Sequence, residues 1–97
     1  MRILILNASP RKTGNISSMV STMADEARQN GAEIDIINVN SLNVSPCIAC
    51  MKCRTEHKCV MPEDDAQRVL SMIREADAMI IAAPCYWGNM PGTLKVL

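Results

Sequence analysis

Apolar positions along the chain switch between two spacings. Residues 2–7 hold the nearly unbroken run Ile3-Leu4-Ile5-Leu6, closed by turn-forming residues; such a run suits a parallel strand covered on both faces. From Ile16 the apolar residues recur at Met19, Val20, Met23, Ala24 and Ala27, and Gly31 follows Asn30 as a stop. That spacing predicts a helix from about 15 to about 30. Ile34, Ile36, Ile37 and Val39 predict a second strand over 33–39. Residues 40–61 follow neither period, and an irregular stretch of that length in a compact domain usually has a function. Pro62 and the acidic residues 63–65 suit a helix start, and Ala66, Val69, Leu70, Met72, Ile73 and Ala76 continue it. A third buried strand is expected over 78–83, broken by Pro84, and residues 91–97 open another helix.

Strands alternating with helices imply right-handed crossovers and a parallel sheet covered on both sides, an α/β class. In the doubly wound strand order 2-1-3-4-5, ligands bind beyond the carboxyl ends of strands one and three, where the winding reverses. Two polar loops follow those two strands here, residues 8–17 and 84–92.

Composition narrows the function. Ten basic residues balance ten acidic ones, so no strong field draws in nucleic acid or an anionic membrane. No apolar run reaches the roughly 20 residues of a membrane helix, and residues 1–6 lack the cleavage pattern of a signal peptide; a cytoplasmic protein is expected. With one histidine and no Ser/His/Asp or paired-carboxylate set, chemistry has to come from a bound cofactor. Phe is absent, and the only Tyr and Trp are neighbours, Tyr86 and Trp87. One loop therefore receives both aromatics.

The first loop reads Ser9-Pro10-Arg11-Lys12-Thr13-Gly14-Asn15-Ile16-Ser17. It joins a strand to a helix N-terminus, where free N–H groups favour an anion. Ser9, Thr13, Ser17, Ser18, Asn15 and Arg11 add donors, although a well-capped turn without ligand has the same composition. It is neither a Walker A loop nor the three-glycine dinucleotide fingerprint. Residues 7–15 resemble the phosphate loop of the flavodoxin-like NAD(P)H-dependent FMN reductases, Gly-Ser-Pro-Arg-x-x-Ser/Gly-Asn-Thr. Ala8 stands where that family usually has Gly, and Ile16 where it usually has Thr, leaving Ser17 as the substitute hydroxyl.

The second loop, Pro84-Cys85-Tyr86-Trp87-Gly88, offers backbone donors and aromatic cover to a flat heterocycle. The same aromatics could instead plug the end of the core, and Cys85 is either redox-active beside the loop or, as expected, a small buried thiol. With Pro91, Leu94 and Lys95 the segment resembles the isoalloxazine loop of the same family, Ser/Thr-Pro-x-Tyr-Trp-x-x-x-Pro-x-x-Leu-Lys. The resemblance thus implies FMN bound by Ser9, Arg11, Gly14, Asn15, Ile16, Ser17, Pro84, Cys85, Tyr86, Trp87 and Gly88, with NAD(P)H as a reductant. Its fold implication is a flavodoxin-like doubly wound sheet carried only through the third strand.

Cys47, Cys50, Cys53 and Cys59 have the spacing C-x2-C-x2-C-x5-C. Four such thiolates satisfy a tetrahedral zinc or a four-iron cluster; a thiol pair or an unmetallated loop is also open, and His57 is either solvated or a substitute ligand. The motif resembles the C-x2-C-x2-C-x4 to x7-C of the iron-sulfur flavoproteins, a branch of the same family, in the same place after the second strand. That implies an FMN protein passing electrons between flavin, a possible four-iron four-sulfur cluster and a small-molecule or protein carrier. The alternatives are a metal-free FMN or quinone reductase and a non-catalytic zinc-stapled interaction module. Family members continue for two further strands, so the outer edge of the third strand is expected to need another segment or a second copy; alone, the chain should bind FMN weakly or associate.

Overall fold

The computed structural model describes all 97 residues. Three parallel strands, β1 (Arg2–Asn7), β2 (Glu33–Asn38) and β3 (Ala78–Ala82), stand in the order β2-β1-β3. The helices are α1 (Asn15–Gln29), α2 (Cys53–Glu56), α3 (Asp65–Glu75) and α4 (Gly92–Val96). The flavodoxin-like arrangement expected from the sequence is therefore present for the first three strands.

The unbroken apolar run of β1 follows from its central place. Successive side chains of a strand point to opposite faces. Leu4 and Leu6 pack with Ala8, Ile37, Val39 and Val69 of α3, whereas Ile5 packs with Val20 and Ala24 of α1. Leu4 and Ile5 are each only 1% exposed. α1 and α3 thus cover opposite faces of β1, and the chain reverses its winding between β1 and β3. The register pairs Asn7 with Asn38 on one side and Ala82 on the other, so all three strands finish at one edge of the sheet. At the opposite edge Arg2 joins its neighbours. Its Nε donates to Asp35 Oδ2 at 3.0 Å, Nη1 to Glu75 Oε2 at 3.4 Å, and the backbone N–H to Asp77 Oδ2 at 2.7 Å. The guanidinium is part-exposed, so these bonds align the strand starts more than they stabilise them.

Three sequence expectations need correction. Val39 leaves the second strand and enters a 3-10 turn, Val39–Ser41, because the Asn38 side chain accepts from the Asn40 N–H at 3.1 Å and caps it. The irregular stretch 40–61 contains the single helical turn α2. β3 is not buried: Met79 and Ile81 are 44% and 52% exposed, since β3 is an edge strand paired only with β1.

Leu4→Ala should destabilise the fold by about 3 kcal/mol through lost burial and an unfilled cavity, whereas Met79→Ala should change it by less than about 0.5 kcal/mol, as at exposed sites generally. Urea unfolding followed by far-UV dichroism reads both; equal midpoint shifts would contradict the assigned core.

Candidate functional site

The two loops begin side by side. The Ala8 N–H donates to Ala82 O at 2.8 Å, extending the β1–β3 ladder by one bond just before the chains part. The fully buried Ala8 methyl joins the core under this junction.

The first loop is folded by its own polar groups. The Ser9 N–H donates to Asn7 Oδ1 at 3.0 Å, the Arg11 N–H to Ser9 Oγ at 3.3 Å, and Ser17 Oγ to Arg11 O at 2.8 Å. Ser17 therefore spends its proton on the loop rather than offering it outward. Ile16 turns its side chain into the cluster of Ile5, Val20 and Ala24; only its backbone N–H is left for a ligand. Gly14 is the helix N-cap and contributes no side-chain bond. A Cβ there would lie 3.2 Å from the Cβ of Arg11, so glycine lets the Arg11 stem cross close over the helix start. Asn15 is exposed at the first helical position.

The N-termini of α1 and α3 differ in kind. α3 begins with a complete capping box: Asp64 Oδ1 accepts from the Ala66 N–H at 2.8 Å, and Gln67 Oε1 accepts from the Asp64 N–H at 2.9 Å. Asp65 adds a carboxylate to its first turn. α1 has no side-chain cap and no acidic residue in its first turn. An uncapped N-terminus keeps its N–H groups and positive dipole end for an external anion. A hollow of about 310 Å³ runs from this loop along α1 beside β2, lined by Ser9, Arg11, Lys12, Ser17, Arg28 and Ile36 among others, with no carboxylate in its wall.

The second loop is a tight turn. Tyr86 and Asn89 exchange two backbone bonds, 2.8 and 2.9 Å, around Trp87 and Gly88, whose φ angles are 50° and 76°. Two positive φ values define a type I′ turn, which favours Asn-Gly. Gly88 suits its position; Trp87 does not, and a bulky residue held in the left-handed region stores strain of the sort found at functional sites. Trp87 is fully exposed and Tyr86 about half exposed, so neither plugs the core. Pro84 is half-buried beneath the turn. Cys85 is exposed and free rather than buried, because it lies past the last ladder bond where the chain leaves the sheet.

The cysteine segment is open. Cys47, Cys50, Cys53 and Cys59 are all exposed and free, and no three metal-ligating side chains gather around one point. His57 caps α2 in a left-handed conformation. The Ala49 N–H donates to Cys47 Sγ at 3.3 Å, a contact local to the segment. Ala49, Met51 and His57 have positive φ. With Trp87 they are all the non-glycine residues of the chain that do, so backbone strain is confined to the two segments singled out by chemistry.

The profile of the NADPH-dependent FMN reductase family matches residues 1–97. The chain belongs to this family. Similar proteins include iron-sulfur flavoproteins of Methanosarcina thermophila, 37% identical over 97 residues and covering all of this chain and 50% of theirs, and of Methanocaldococcus jannaschii, 32% identical with the same coverage. An iron-sulfur flavoprotein of Archaeoglobus fulgidus is 34% identical over 97 residues, 47% of its length. The chain spans about half the length of the curated relatives it matches. The fold resembles a crystal structure of RosB with the bound intermediate 8-demethyl-8-formylriboflavin-5'-phosphate, at a TM-score of 0.77 and 19% identity over 99% of this chain and 40% of that one. The structural likeness supports a flavodoxin-like fold, and no helix is long and apolar enough to cross a membrane.

Sequence reasoning overlooked three contributors. Asn7 and Asn89 shape the loops through side-chain bonds to the Ser9 and Met90 N–H groups; asparagine at a strand end or turn is the available signal. Asp64 was readable as a capping-box residue from its spacing to Gln67. Its carboxylate also holds the Ser45 N–H, at 2.8 Å from Oδ2. Backbone donation from Ser45, then from Ala66, depresses the Asp64 pKa.

A depressed carboxylate contributes stability that is present above its unfolded pKa of about 3.9 and disappears as pH falls through the lower folded value. The junction between residue 45 and α3 should accordingly be insensitive to pH above about 5 and loosen only in stronger acid, read from amide exchange at Ser45. Trp87→Asn should stabilise the protein by about 1 kcal/mol by removing left-handed strain; a lower thermal midpoint would contradict the turn assignment.

Proposed function

We propose that the protein is an FMN-dependent oxidoreductase that exchanges electrons with a small-molecule or protein carrier, NAD(P)H being a candidate reductant. The observation that carries this reading is the uncapped, acid-free start of α1 beside a strained aromatic turn at the reversal point of the sheet. Arg11, Gly14 and the N–H groups of Asn15, Ile16 and Ser17 would hold the phosphate. Pro84 through Gly88 would seat the ring, with the Tyr86 and Trp87 surfaces beside it. The flavin itself would accept and pass on the electrons. The chain's own part is to neutralise the phosphate, orient the ring and set its surroundings through backbone donors.

A cysteine-bound iron-sulfur centre is the finer form of this proposal. In kind and number the four thiols fit a soft metal centre, and the similarity to iron-sulfur flavoproteins supports it. The segment would have to draw its sulfurs together on binding metal. The second reading is a reductase without metal, in which the thiols stay free as they are here. Iron and sulfide analysis with visible absorption of anaerobically purified protein separates the two: stoichiometric iron and sulfide support the centre, and metal-free flavoprotein supports the second reading.

Trp87 is the sole tryptophan, so its emission reports the turn directly. FMN should quench it, and Arg11→Ala should weaken FMN binding by roughly tenfold, the worth of one charge-assisted bond. Riboflavin, which has no phosphate, should bind equally to both forms. Emission unchanged by saturating FMN, or an equal loss for riboflavin, would remove the reading.

A further inference from the structure

All four clustered cysteines lie on one excursion of the chain, and its two ends are tied together. The Ser45 N–H donates to Asp64 Oδ2 at 2.8 Å and the Asn43 N–H to Asp65 Oδ2 at 2.7 Å, while the Asp65 N–H returns a bond to Asn43 O at 3.0 Å. These bonds cross 19 and 22 residues of sequence. They join an otherwise irregular strand of chain to the first turn of α3, whose Val69 is 1% exposed in the core. Between the ties, residues 46–63 hydrogen-bond only among themselves. Ser45 and Asp64 also line one cleft of about 590 Å³ with Cys47, His57 and Cys59. The ties therefore sit in the wall that carries the first and last thiols of the motif.

We infer that Asp64 and Asp65 are positioning residues for the cysteine segment: by fastening residues 43 and 45 to the start of α3, they set where Cys47 and Cys59 stand relative to each other. Asp64 does two separable things. One oxygen caps the helix and the other holds the loop. Closing a loop of this length costs chain entropy, and a tie at its base lowers the cost of bringing the thiols together later. The inference deepens the proposed cysteine centre and rests on it for its purpose, although the ties themselves do not.

Substitutions at position 64 separate the two roles. Asn and Ser are helix caps comparable to Asp, but neither supplies a second acceptor, so Asp64→Asn and Asp64→Ser keep α3 capped and release Ser45. Asp64→Ala loses both. The full chain is prepared in each form, and three quantities are read. Amide exchange of Ser45 should accelerate by roughly tenfold in all three variants as local opening becomes easier, while α3 exchange accelerates only in Asp64→Ala. The yield of a Cys47–Cys59 cross-link with a short thiol-selective bifunctional reagent should fall at least about threefold with the lost effective concentration, with Cys85 modification as the unchanged internal reference. Iron affinity should fall by roughly tenfold, as for other groups that orient ligands. Asp65→Asn serves as an independent variant, read at Asn43. Unchanged Ser45 exchange in Asp64→Asn and Asp64→Ser, or unchanged cross-linking despite faster exchange, overturns the inference. A wild-type chain that binds no iron while the exchange and cross-link changes appear overturns the cluster reading and leaves the positioning role supported.

Discussion

Burial of β1 from both sides fixes where chemistry can occur. A strand whose odd and even side chains are both covered needs a helix on each face, and α1 and α3 supply them through Val20 and Ala24 on one side and Val69 on the other. Helices on opposite faces force the chain to leave β1 and β3 in opposite directions. The sheet edge between those departures is left without a covering element, and polar loops can occupy it at no cost to the core. The location of the site thus follows from the alternation within Leu4-Ile5-Leu6, ahead of any residue that touches a ligand.

The two main helices then show how one architectural need, satisfying the first N–H groups, is met in two ways. α3 satisfies its own with Asp64 and Gln67 and becomes a fixed point to which the cysteine segment is fastened. α1 leaves its own open, after a loop that carries Arg11, Lys12 and hydroxyls. Exchanging the caps would undo both arrangements at once. An aspartate at position 14 would satisfy α1 and repel a phosphate, and a glycine at position 64 would free the segment.

Strand and helix positions were legible in the sequence because they rest on spacing, which survives in one dimension. The first loop stood out in the sequence because it joins a strand to a helix and its residue types resemble a known phosphate loop. Less legible were features that depend on neighbours: that Ile16 belongs to the core, that Ser17 bonds inward to Arg11 O, and that Met79 and Ile81 stand exposed at an edge. The left-handed angle of Trp87 was not readable either, since a type I′ turn normally announces itself by Asn or Gly in that place, and here the sequence holds the least suited residue.

That mismatch is itself informative about the energetics of the site. Asparagine or glycine at position 87 would be easier to fold, and the unfavourable φ is matched by no contact within the chain, since Trp87 is fully exposed. Strain of this kind persists where the surrounding structure over-determines it, and here the two Tyr86–Asn89 backbone bonds hold the turn. The indole is consequently presented to its surroundings before any ligand arrives, so a planar ring that meets it need not spend binding free energy on ordering the loop. Ala49 and Met51 likewise hold left-handed angles on either side of Cys50. Both segments are held in costly conformations by hydrogen bonds at their base, and in both the part left free is the part with chemistry to offer.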